Sequence, residues 1–105
     1  MGLFSRRKGR PGTLRTSDSS DLAHLANFVS SRGGVEAYLE PRTAVTETTV
    51  VLVAATGEWT RRRVADPDRA AGFAKKNAIP LYDVAKVGYP QRMRAWDAAR
   101  KGTTN

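Results

Sequence analysis

Trp59, Arg61, Arg62 and Arg63 place an indole and three guanidiniums within five consecutive positions. A guanidinium is planar, always charged and matched to phosphate oxygens, and an indole offers a face on which a base can lie. On an extended strand Trp59, Arg61 and Arg63 fall to one side, and Glu58, Thr60, Arg62 and Val64 to the other. A face with one indole and two guanidiniums could stack on bases or ribose and neutralise phosphates, each stacked base contributing about 1–3 kcal/mol. The plainer role is structural, with Trp59 filling a sheet edge and the aliphatic stems of the arginines shielding it.

Two further stretches carry positive charge. Residues 1–16 hold Arg6, Arg7, Lys8, Arg10 and Arg15 and no acid, and residues 85–105 add a net +4 that includes Arg92 and Arg94. The middle of the chain is close to neutral, while the whole stands at +8. Clustered cations gain free energy by displacing the counterions of a phosphate backbone, so this distribution points to a polyanionic partner, RNA, the ribosome or DNA. A solubilising tail is the simpler account of residues 1–16.

Chemistry of other kinds finds little support. There is no cysteine, which excludes disulfides, thiolate metal sites and a cysteine nucleophile. The single His24 lies off the apolar stripe of its segment, with no nucleophile or orienting acid placed by a motif, and reads as a surface or boundary residue. Asp66 and Asp68 suit a helix start better than a carboxylate pair, and Glu36 and Glu40 share a strand face as an acidic patch. The glycines build neither a phosphate loop nor a dinucleotide fingerprint. We therefore expect no cofactor, no metal and no enzyme activity. No apolar run has membrane-spanning length and the opening MGLFSRRKGR lacks a secretory pattern, so the expectation is a cytoplasmic protein without a membrane partner.

These side chains must be positioned by a small framework. Residues 1–17 have too few apolar groups to offset the entropy of ordering and read as a disordered basic arm. Leu22, Leu25, Ala26 and Val29 recur at helical spacing, with Asp18 or a following serine as cap and Gly33-Gly34 as stop. Val35 to Glu40 alternates as a half-buried strand, and Thr48 to Ala55 is apolar on both faces and reads as a central strand. Thr56-Gly57 turns the chain into Glu58 to Val64, completing a hairpin. Asp66, Pro67 and Asp68 open a helix that continues to about Asn77 and buries Ala70, Phe73 and Ala74. Leu81 to Val84 is a short strand or extended segment. Gly88, Tyr89 and Pro90 open a last helix whose Tyr89, Met93 and Trp96 form one stripe. That stripe packs on the core or, if the helix stays undocked, serves a protein partner.

The segments VEAYLEPRTAVTETTVVLVA, GEWTRRRV and IPLYDVAKVGYPQRMR, with the opening MGLFSRR, resemble a group of short proteins from high-GC actinobacteria, some of which carry an oxidoreductase label. The resemblance covers nearly the whole chain and implies no assigned activity or site residue. In element order alone, residues 18–77 are similar to the double-stranded RNA-binding domain, which reads A-form shape through phosphate and 2′-hydroxyl contacts. Those domains carry a lysine cluster at the start of the second helix. Here Asp66 and Asp68 stand there, with Lys75 and Lys76 at its end.

The expectation is a two-layer α+β domain over residues 18–101: an antiparallel sheet of three to four strands with helices on one face, and a frayed tail at 102–105. The expected function is electrostatic binding of nucleic acid or the ribosome through Arg6, Arg7, Lys8, Arg10, Arg15, Trp59, Arg61, Arg62, Arg63, Arg92 and Arg94. Docking on another protein through the aromatic C-terminal helix or a sheet edge is the alternative.

Overall fold

A computed structural model describes residues 19–44 and 47–103. The chain runs α1 (Ser19–Ser31), β1 (Glu36–Glu40), β2 (Thr49–Val53), β3 (Trp59–Arg63), α2 (Pro67–Lys76), β4 (Leu81–Asp83), α3 (Val84–Val87) and α4 (Gln91–Thr103). The four strands form one sheet in the order β3-β2-β1-β4. The α+β class is as expected.

The first three strands follow from local pattern. β2 is central because its residues are apolar on both sides, and it pairs antiparallel with β1 (Tyr38 opposite Val51) and with β3 (Val51 opposite Arg61). The β2–β3 turn closes through Gly57 N–H donating to Ala54 O at 2.9 Å, with Gly57 at φ 97°, a backbone region costly for any side chain. α2 begins as its sequence dictates: Asp66 caps it by accepting the Arg69 N–H at 2.8 Å, and Pro67 occupies the first turn. It ends with Ala78 at φ 56° and an Ile79 N–H bond back to Ala74 O, the geometry of a Schellman cap.

Two features of the sheet correct the expectation. Leu81–Asp83 joins it alongside β1 in parallel, with Tyr82 opposite Tyr38, so the sheet is mixed and not wholly antiparallel. The intervening β2, β3 and α2 supply the long connection that a parallel pair needs. Helices also cover both faces, not one. On the first face Leu25 and Phe28 of α1 and Ala70 and Phe73 of α2 pack against Val35, Ala37, Val50, Leu52, Ala54 and Val64. On the second, Met93 of α4 and the partly buried Trp59, Val84 and Tyr89 cover Tyr38, Val51 and Val53. The physical reason lies in β2: Val51 and Val53 are fully buried, and burying such a side chain contributes about 1.5–3 kcal/mol, so neither face can stay open to water. α4 runs on through Gly102 to Thr103. α3, a single turn capped by Asp83, was not anticipated.

Candidate functional site

The alternation of β3 splits the arginine row. Arg61 points to the second face and lies over the Trp59 ring, 5.3 Å from its centroid. Its Nε donates to Glu40 Oε1 at 2.8 Å and its Nη2 to Glu40 Oε2 at 2.9 Å. Glu40 also accepts from Thr49 Oγ1 at 2.5 Å and from the Tyr89 hydroxyl. Burial works to raise the Glu40 carboxyl, but the bonds from Arg61, Thr49 and Tyr89 outweigh it and hold the group below the usual carboxylate range.

Arg92, on α4, reaches back over the same face. Its Nε donates to Ala54 O at 2.9 Å and its Nη2 to Glu36 Oε1 at 2.8 Å and Val53 O at 3.3 Å. The Arg92 bond holds Glu36 below its ordinary value, against the opposing effect of burial. Tyr38 donates to the same Glu36 oxygen at 2.9 Å, and burial together with that bond pushes its phenol up to about 12. Trp59 Nε1–H donates to Asp97 of α4 at 3.0 Å. The side of β3 that the sequence suggested as an open platform is thus the dock for α4. On that helix Met93 is buried, and Arg100 lies 5.6 Å over the half-buried Trp96 ring.

Arg62 points the other way, beneath α1. Its Nε lies 3.8 Å from Asp21 Oδ1 and its Nη2 3.4 Å from His24 Nδ1. A guanidinium only donates, so Nδ1 accepts, and His24 Nε2–H donates to Thr60 Oγ1 at 2.7 Å. Burial, reinforced by the charges of Arg62 and Arg32 and opposed by Asp21, lowers the imidazole from its ordinary 6.5. A cavity of about 280 Å³ opens beside the ring, with Asn27, Arg32, Glu58 and Trp59 on its wall. Arg32 and Glu58 are themselves paired at 2.7 Å.

Of the residues singled out from the sequence, Trp59, Arg61 and Arg92 therefore meet on the α4 side, and Arg62 is separated from them by the sheet. Arg63 is half-buried and Arg94 exposed, and neither enters an ion pair among the described residues. Arg6, Arg7, Lys8, Arg10 and Arg15 lie outside the described residues. Glu36, Glu40, Tyr89 and Asp97 were missed as partners. The available signal was the two-faced apolarity of β2, which demanded a second cover and hence groups to anchor it. Among the described residues no three His, Asp or Glu side chains gather as a metal site, and no helix is long and apolar enough to cross a membrane.

No family model, curated protein or solved structure matches this chain.

Proposed function

We propose that the protein is a non-enzymatic, basic binding module for a polyanionic macromolecule, RNA or DNA, held by charge more than by base reading. One observation carries this reading: four ion pairs among the described residues each set one arginine against one carboxylate. Arg32 with Glu58, Arg61 with Glu40, Arg62 with Asp21 and Arg92 with Glu36 are each neutral. Setting those four pairs aside leaves the whole surplus of +8 on the remaining side chains. Five of those cations, Arg6, Arg7, Lys8, Arg10 and Arg15, belong to the N-terminal stretch. On the folded part, Arg42 and Arg94 are exposed and Arg63 half-exposed, and strand register brings Arg42 and Arg63 to the same end of the sheet.

The reading narrows the contact set. Arg61, Arg62 and Arg92 hold the fold together, and binding rests on the N-terminal stretch with Arg63 and Arg94. The engagement of both His24 ring nitrogens by Thr60 and Arg62 supports a binding protein over a hydrolase, since a general base needs a free nitrogen.

Fluorescence anisotropy with a labelled RNA hairpin, single-stranded RNA and duplex DNA tests the proposal at about 50 and about 200 mM salt. Binding at the lower concentration, weakened at least tenfold at the higher, is expected. No binding at low salt, or affinity indifferent to salt, overturns it.

A further inference from the structure

A cavity of about 240 Å³ lies where β1, β4 and the α3–α4 turn meet, walled by Glu36, Tyr38, Tyr82, Val87, Tyr89 and Pro90. Parallel pairing sets Tyr38 beside Tyr82, with ring centroids 5.3 Å apart and planes inclined by 33°. The Tyr38 hydroxyl is committed to Glu36 and the Tyr89 hydroxyl to Glu40, so what these residues have left for the cavity is aromatic surface.

The charge on the wall is unusual for this molecule. In a chain of net charge +8, the one charged side chain lining the cavity is a carboxylate, Glu36. Both of its bonds, from Tyr38 and from Arg92, fall on Oε1, which leaves Oε2 open. Arg92 approaches from behind, tied to the carbonyls of Val53 and Ala54, and does not line the cavity. The rim holds the exposed large hydrophobics among the described residues, Tyr82 at 37% and Val87 at 59%.

Tyrosine side chains beside a single carboxylate suit a soft cation. The aromatic rings attract positive charge spread over methyl groups, a contact of about 0.5–2 kcal/mol, and the open Oε2 presents the negative end of the Glu36–Arg92 pair to it. A hard metal ion would require six or more oxygens, which this wall lacks. We propose that the cavity binds an alkylated ammonium group, carried either by a small quaternary ammonium solute or by a methylated lysine side chain. This site is separate from the polyanion contacts and does not depend on them.

The test is an NMR titration of the full chain with choline and with its uncharged carbon isostere, 3,3-dimethylbutan-1-ol. Saturable shifts at Tyr82 and Val87 are expected with choline, at about fivefold higher affinity than for the alcohol. Tyr82→Leu keeps the apolar bulk but removes the ring, and it should abolish that preference while core methyl signals stay in place. A peptide bearing trimethyl-lysine, compared with its unmodified form, distinguishes the two sources, and discrimination by either probe supports the site. Failure of both choline and the trimethyl-lysine peptide to bind better than their counterparts, no saturation by either charged probe, or shifts that track protein concentration because a second copy covers Tyr82 and Val87, would overturn it.

Discussion

Arg61 and Glu40 clamp the sheet from opposite outer strands of its antiparallel part, β3 and β1, bridging β2 with a two-point fork of 2.8 and 2.9 Å. The pair is asymmetric. The Arg61 side chain is 43% exposed and that of Glu40 14% exposed, and Glu40 also serves Thr49 and Tyr89. Arg61→Ala should cost under about 1 kcal/mol because solvent screens the exposed end. Glu40→Ala strands three donors at once and should cost about 2–3 kcal/mol. Urea denaturation reads both, and a larger loss for Arg61→Ala would contradict the asymmetry.

The same fork predicts a dissociation between stability and binding. Removing residues 1–16 should lower RNA affinity about tenfold or more and flatten its salt dependence, since each phosphate contact contributes a slope of about 0.7–0.9. Arg61→Ala should change affinity less than about twofold. The opposite ranking in anisotropy would return Arg61 to the binding surface.

Two backbone positions should respond with opposite signs. Gly57 has φ 97°, and a Cβ there would run into the Arg92 carbonyl, whose carbon would lie 2.9 Å away, so Gly57→Ala should cost about 2–4 kcal/mol and loosen α4. Ala78 occupies a left-handed position at the end of α2 where glycine is preferred, and Ala78→Gly should stabilise by about 1 kcal/mol. Thermal denaturation of the two variants checks both directions.

Acid should act in two stages. His24 resists protonation in the folded chain, so the unfolded state takes up the proton first. Stability from this source is full above about pH 6.5 and declines as pH falls from there to the folded value. Glu36 and Glu40 have lowered values, so their contribution is present above the ordinary 4.5 and is lost as pH falls below it. Melting temperatures should therefore be level from about pH 7 to about pH 9, begin to drop as pH falls below about 6.5, and drop further below about pH 4.5. His24→Gln should remove the first drop alone; a first drop that survives it assigns the titration elsewhere.

Most elements were legible because their signals are local. The Leu22, Leu25, Ala26 and Val29 stripe, the Thr56-Gly57 turn and the Asp66-Pro67 start all name their structures within a few residues. What escaped was set at long range. The partners of Glu36 and Glu40 lie 56 and 21 residues away, so an acidic pair that looked like a patch is the anchor of two arginines. The parallel seat of β4 depends on where α2 delivers the chain, and three residues of strand carry no mark of direction. The second covered face was recorded in β2 itself, whose valines point both ways, but alternation on β3 suggested an open side because Trp59 and Arg61 tolerate either water or a helix.

Because α4 follows all four strands in the chain, Val51 and Val53 must wait for it. While a nascent chain emerges from the ribosome, the hairpin can close and α1 and α2 can seal one side before anything is available to shield the other. During that interval an apolar strip is presented to neighbouring chains, bordered by Glu40 and Arg61, whose charges oppose edgewise stacking before their pairing does anything for the finished molecule. Any lesion that delays α4, such as crowding at Gly57, should show first as insoluble product during synthesis and only second as a lower melting temperature.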